Sequence, residues 1–158
     1  MTYLFIDNNG SSLAPDESST VHFFTSNSNF NTGISLNDGN IYELQIGILS
    51  NWVDGTIMLN ESGEAIDETG FANVQMPITA FGLTRRSTNH RWFELMIYQP
   101  NCSRGSLRGV TDLNKDEETH GYRFTAVCDG NLHLYVNDSP GFYMNNTGYA
   151  NIIVSRIN

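Results

Sequence analysis

The segment Asn137-Asp138-Ser139-Pro140-Gly141-Phe142-Tyr143-Met144-Asn145-Asn146-Thr147-Gly148 is dense in hard oxygen donors. Asp138 supplies a carboxylate, and Asn145 and Asn146 supply amide oxygens. Donors of this kind suit calcium, which takes about six to eight oxygen ligands in irregular geometry, whereas magnesium demands an octahedron and keeps its waters. The segment holds no thiolate or imidazole, which disfavours zinc and copper. Pro140-Gly141 fits the central positions of a type II turn: proline pre-sets φ at the first, and glycine tolerates the positive φ of the second. Such a turn folds the chain back so that Asp138 and the Asn pair can converge. With a single evident carboxylate, a bound calcium ion would stay under-neutralised and open to ligand oxygens, such as vicinal sugar hydroxyls. Asn, Asp and Gly equally serve as plain turn formers, so residue types alone leave both readings open.

The elements that must position this loop read as strands, because apolar residues recur with a period of two. Leu132, Leu134 and Val136 alternate with His133 and Tyr135; Tyr122, Phe124, Ala126 and Cys128 with Arg123, Thr125 and Val127; Ala150, Ile152 and Val154 with Asn151, Ile153 and Ser155. Trp92 to Gln99 places Phe93, Leu95 and Ile97 on one face and Glu94, Met96 and Tyr98 on the other. Ile41 to Asn51 reads as a long strand, Thr20 to Thr25 as a short one, and Ala72 to Phe81 as an edge strand interrupted by Pro77. Turn clusters separate them at Asn8 to Ser12, Asn27 to Asn31, Asn37 to Asn40 and Glu61 to Gly63. Asp129-Gly130, between two alternating runs, predicts a type I′ hairpin. Asp112 to Thr119 reads as a solvated loop. This pattern predicts an all-β chain, an antiparallel β-sandwich of jelly-roll type, with residues 1–158 as a single carbohydrate-binding domain.

The 158-residue chain carries a net charge of −9, which argues against nucleic acid, since phosphates need a basic face. Arg85-Arg86 and Arg91 form its only basic cluster, read as solvating a loop. No stretch approaches the roughly twenty apolar residues of a membrane span. Met1 to Asp7 has neither a basic start nor an apolar signal core. Cys102 and Cys128 do not make a disulfide scaffold; the parity of Cys128 with Phe124 and Ala126 reads as a buried free thiol, with a bond to Cys102 as the alternative. The sequons Asn60-Glu61-Ser62 and Asn101-Cys102-Ser103 carry little weight in an Asn-rich chain. His22, His90, His120 and His133 show no metal-ligand spacing. Asp67 and Glu68 are adjacent, so on a strand they would face opposite ways and make a poor acid–base pair. No Ser or Cys lies in a nucleophile motif, and no catalysis is expected. Trp52 and Trp92 could each stack on a sugar ring or fill the core.

On these residues the segment Asn137 to Ile153 resembles the C-terminal signature of the LecA-type (PA-IL-like) galactophilic bacterial lectins, Asn-Asp-x-Pro-Gly-x-Tyr-x-Asn-Asn-x-Gly, with every pattern position filled. The preceding Asp129 to Val136 also matches the family's hairpin. The resemblance covers about the last forty residues, the rest agreeing only in strand pattern. It implies a galactose-binding-domain-like sandwich that holds one calcium ion and a terminal galactose or N-acetylgalactosamine, without catalysis. The implied metal donors are the side chains of Asp138, Asn145 and Asn146, the Phe142 carbonyl, and a carbonyl near the end of an earlier strand. Aligning Gly39 to Trp52 with that strand puts Trp52 at the last position. The implied sugar contacts are Asp138 and Asn145, with backbone help from Ser139 and Phe142. Family members form homo-oligomers, bind glycans and lack a conventional signal peptide, which implies a cytoplasmic or released protein.

Two departures stand out. The family's His-Pro-x-Gln segment, which reaches the sugar's primary hydroxyl, corresponds to Gly63 to Gly70, where neither His nor Gln occurs. Glu64, Asp67, Glu68 and Thr69 could hydrogen-bond sugar hydroxyls there or form a solvated acidic loop. Met144 also replaces a small residue beside the Asn pair.

Overall fold

The computed structural model describes residues 10–102 and 104–158. The readings of Met1 to Asp7, of Asn8-Asn9 and of Ser103 in the second sequon lie outside them. The described chain is a β-sandwich of two five-stranded sheets. One sheet runs in the order β1 (Ser11–Ser12), β3 (Phe30–Leu36), β9 (Gly130–Val136), β5 (Leu95–Tyr98), β6 (Arg108–Gly109). The other runs β2 (Ser18–Phe24), β10 (Asn146–Arg156), β4 (Ile41–Asp54), β8 (Tyr122–Thr125), β7 (Asn114–Lys115). All pairings are antiparallel except β1 with β3, so Ser11-Ser12, read as a turn, adds a short parallel edge instead.

The alternation in the sequence builds the core. Leu132, Leu134, Val136, Leu95 and Ile97 face Leu44, Ala150, Ile152, Val154 and Phe124 across the sandwich, all buried. Trp52, Phe71, Trp92 and Phe93 close the end of the core nearest the Asn137–Gly148 loop, with Phe71 stacked on Trp92 at 6.4 Å. No helix among the described residues is long and apolar enough to cross a membrane.

Four expectations are corrected. Asp129-Gly130 does not close a hairpin: β8 and β9 belong to different sheets, and Asp129 keeps a negative φ. Its carboxylate accepts the Asp38 amide at 2.7 Å, tying two inter-sheet connections together. Cys128 lies beyond the end of β8, where strand parity no longer applies, and it is bonded to Cys102. Closing that 26-residue separation stabilises the fold by about 3.5 kcal/mol in the chain-entropy account. Ala72 to Phe81 is not a strand but two 3-10 turns, Asn73–Gln75 and Thr79–Thr84. There, side chains take over the backbone pairing a neighbour strand would supply: Asn73 Nδ2 donates to the Thr79 carbonyl at 2.9 Å, and Gln75 Nε2 to the carbonyls of Leu59 and Asn60 at 3.0 Å.

The arginines, finally, do more than solvate a loop. The Arg86 guanidinium lies 3.5 Å from the Tyr135 ring centroid, Arg91 pairs with Glu61, and Arg85 packs over Trp92.

Candidate functional site

Strand β9 delivers Asn137 and Asp138 to the end of the sandwich, and β10 begins at Asn146, so the loop between them is held at both ends. Phe142 N donates to the Ser139 carbonyl at 3.1 Å with Gly141 at φ +86°, the reversal that Pro140-Gly141 predicts. The Tyr143 hydroxyl, buried, donates to the Val136 carbonyl at 2.7 Å and accepts from Arg86 at 3.0 Å, pinning the loop's centre. Gly148 lets β10 bulge against β4: a Cβ there would lie 2.3 Å from the Asn51 carbonyl oxygen.

The turn therefore brings Asp138, Ser139, Phe142 and Asn145 to one cavity of about 540 Å³. Asp138 is only 2% exposed. Its Oδ1 accepts the Ser139 amide at 2.7 Å and its Oδ2 accepts Asn146 Nδ2 at 2.9 Å. Asn146 is equally buried; its Nδ2 also donates to the Thr25 carbonyl at 3.2 Å, and its Oδ1 is buried with no partner at all. The Phe142 carbonyl accepts the Asn145 amide at 3.3 Å.

Trp52 is not at the cavity. It lies inside β4, fully buried and bridged to Ile66, because that strand runs on to Asp54. Asp54 is the residue that arrives: its Cα is paired with Asn146 in the β4–β10 ladder, and it lines the cavity beside Asp138. Sequence reasoning missed it because the strand was ended at Asn51. The signal available was Asp54-Gly55, an acid and a turn residue closing a long alternating run.

Asp67, Glu68 and Thr69 do not line the cavity either. Asp67 accepts its own turn's Thr69 amide at 2.8 Å, and Glu68 accepts the Tyr122 hydroxyl at 2.9 Å. The wall that faces the Asp138 loop comes instead from Met76, Pro77 and Phe81 of the misread segment and from Thr84 just beyond it, with buried Trp92 beside them. Thr84 and Ser139 share a hydrogen bond between hydroxyls, joining wall and loop.

Burial and a neighbouring like charge both raise a carboxyl's proton affinity. Burial, and then repulsion from Asp138, pushes the Asp54 carboxyl up to about 7. Burial raises Asp138 as well, against its hydrogen bonds from Asn146 and Ser139. Both carboxyls are thus raised in the folded state, and the native state keeps protons the unfolded chain releases above about pH 4. Stability of the metal-free protein is therefore expected to fall as pH rises from about 4 to about 7, and to level off beyond. Thermal unfolding in a chelator should show a midpoint lower by several degrees at the alkaline end, and Asp54→Asn should flatten that slope. A slope unaltered by Asp54→Asn would assign the titration elsewhere.

Among the described residues no three His, Cys, Asp or Glu side chains cluster as a metal site. A set of two carboxylates, side-chain amides and a carbonyl is of a different kind: hard oxygen, suited to calcium. The residues present fit such an ion, because the partnerless Asn146 oxygen and the two confined carboxylates each lack a positive counterpart.

No family model matches the sequence, and no curated protein matches it. Among solved structures, a chain described as an EclA N-terminal domain, a PllA-like lectin, has the same fold: TM-score 0.52 at 19% identity, over 87% of this chain and 94% of that one. The likeness is one of fold: a β-sandwich of two sheets.

Proposed function

We propose that the protein is a calcium-dependent, carbohydrate-binding lectin of the LecA type. The observation that carries this reading is the pair of buried carboxylates, Asp138 and Asp54, lining one cavity with Asn145, with Asn146 hydrogen-bonded to Asp138 through Nδ2 and its own Oδ1 left without a partner. Asp138, Asn145, Asn146 and the Phe142 carbonyl would hold the ion, as the sequence resemblance implies, and Asp54 adds the second negative charge that neutralises it. The Asn146 amide would turn its oxygen inward to do so, giving up the bonds its Nδ2 donates to Asp138 and to the Thr25 carbonyl in exchange for a ligand bond. Bound calcium supplies a Lewis-acidic centre for sugar hydroxyls, while Asp138 and the exposed Asn145 orient them by hydrogen bonds, with Ser139 beside them. Galactose and N-acetylgalactosamine are the first ligands to try. Homo-oligomerisation would offset weak single-site affinity by multivalency.

The second reading is a β-sandwich interaction module whose calcium only stiffens the loop. It is favoured by the placement of Asp67, Glu68 and Thr69 away from the cavity, which removes the loop that would contact a sugar's far side. A glycan array probed in calcium and again in EDTA separates the two. The lectin reading expects a glycan signal that EDTA abolishes; an unchanged signal in EDTA refutes it, and calcium-raised thermal stability without any glycan signal supports the module.

A further inference from the structure

Trp92 lines the acidic cavity, while Phe71, stacked on it, lines a separate pocket of about 340 Å³ that shares no residue with the first. One rim of this second pocket is the turn Ser87 to His90, closed by the His90 amide donating to the Ser87 carbonyl at 3.3 Å. Three side chains are joined along that turn. Ser87 Oγ lies 2.6 Å from His90 Nδ1, and His90 Nε2 lies 2.5 Å from Asp112 Oδ2.

Asp112 sets the roles. Against burial, which would raise it, the hydrogen bonds from His90 and from the Gly109 amide hold its carboxyl below the usual carboxylate range. An ionised carboxylate only accepts, so the neutral imidazole donates through Nε2 and keeps its lone pair on Nδ1. The Ser87 hydroxyl is then the donor to Nδ1. Gly109 makes room for the ring: a Cβ there would lie 2.6 Å from His90 Cδ2. Ser87 is anchored by its backbone alone, its amide and carbonyl both bound to the Asn137 side chain. The next two amides in the turn, Thr88 and Asn89, donate to no backbone carbonyl among the described residues.

We propose that Ser87, His90 and Asp112 hydrolyse carboxylic esters with a small acyl group, taken up by this pocket. The relation of nucleophile, base and orienting acid recurs on unrelated folds and is defined by geometry, not by sequence position. Ser87 Oγ bonds to the carbonyl carbon as its proton passes to His90 Nδ1, and the carbonyl electron pair moves onto oxygen, where the Thr88 and Asn89 amides serve as donors. The bond from carbon to the alkoxy oxygen then breaks, that oxygen takes the proton from His90, and an acyl-serine remains. Water attacks it in the same way, giving its proton to Nδ1; the acid leaves as Ser87 Oγ recovers that proton. This activity is independent of the lectin reading, because it uses neither calcium nor the acidic cavity.

The full chain is treated with diisopropyl fluorophosphate and mapped by peptide mass, and in parallel its hydrolysis of 4-nitrophenyl acetate is followed. One phosphoryl group is expected, on Ser87, with acetate hydrolysis about 100-fold faster than in Ser87→Ala. That variant keeps both backbone bonds to Asn137, so its melting midpoint should stay within about 2 °C of wild type. Asp112→Asn should lower kcat by about 100-fold at unchanged KM, and Asp112→Glu should restore part of it. Labelling elsewhere, no labelling, or equal hydrolysis by wild type and Ser87→Ala overturns the proposal, and an unaltered kcat in Asp112→Asn overturns the role given to Asp112.

Discussion

Asp138→Ala is expected to abolish calcium-dependent sugar binding, a loss of about 100-fold or more, without unfolding the protein. The effect is large because one side chain serves the whole site. Its carboxylate is buried, accepts the Ser139 amide and Asn146 Nδ2, and faces the Asp54 carboxyl across the cavity. Without it the ion loses a charged ligand. Losses of this order accompany removal of groups that hold or orient metal ligands. The fold should survive, because Asp138 and Asp54 repel each other in the metal-free state. The variant is therefore expected to melt no lower than the wild type in a chelator. Wild-type protein at a calcium concentration about 100 times its dissociation constant gains about 2.7 kcal/mol, and Asp138→Ala should gain none of it. Melting curves with and without calcium, read beside the glycan array, check both parts. A variant that still responds to calcium would remove Asp138 from the metal site.

The largest loss of stability is expected one residue earlier. Asn137 is fully buried and its side chain knots together the 87–91 turn, which follows the cavity wall in the chain. Its Nδ2 contacts the carbonyls of Ser87, His90 and Arg91 at 2.8, 3.2 and 3.0 Å, and its Oδ1 accepts the Ser87 amide at 2.9 Å. Alanine would strand these backbone groups away from water, at a cost of about 1–3 kcal/mol for each that finds no new partner. Asn137→Ala should thus cost about 3 kcal/mol, lowering the melting midpoint by roughly 10 °C in a chain of this size. Asn137→Asp should be worse, since a carboxylate cannot donate to three carbonyls. Chemical denaturation at constant m-value checks the figure. Because the Arg86 amide and Thr84 hydroxyl also reach Asp138 and Ser139, the same variants should weaken sugar binding by loosening the wall. A midpoint within about 2 °C of wild type would mean that the turn holds without its knot.

Strand identity was legible wherever apolar residues alternate on a sheet with one covered face. Leu132–Leu134–Val136 and Ala150–Ile152–Val154 are buried as their period requires. The same rule misled at Ala72 to Phe81, because alternation was read where no partner strand exists, and at Asp129-Gly130, because a turn signal says nothing of which sheet the next strand joins. Cys128 was misread for a related reason: parity lapses at a strand's end, and the pairing depends on where Cys102 arrives.

The loop of Asn137 to Gly148 divides the same way. Its donors, its Pro-Gly reversal and its place between two strands follow from the residues themselves, since turn chemistry and oxygen hardness are local properties. What only tertiary structure decided is the company it keeps. The register of β4 against β10 sets Asp54 opposite Asn146, and the folding of Asn73 to Thr84 supplies the wall in place of Asp67, Glu68 and Thr69. Those pairings join residues some fifty to ninety positions apart along the chain. They are settled by strand register and by where side chains can satisfy a stranded backbone, and no local pattern encodes either.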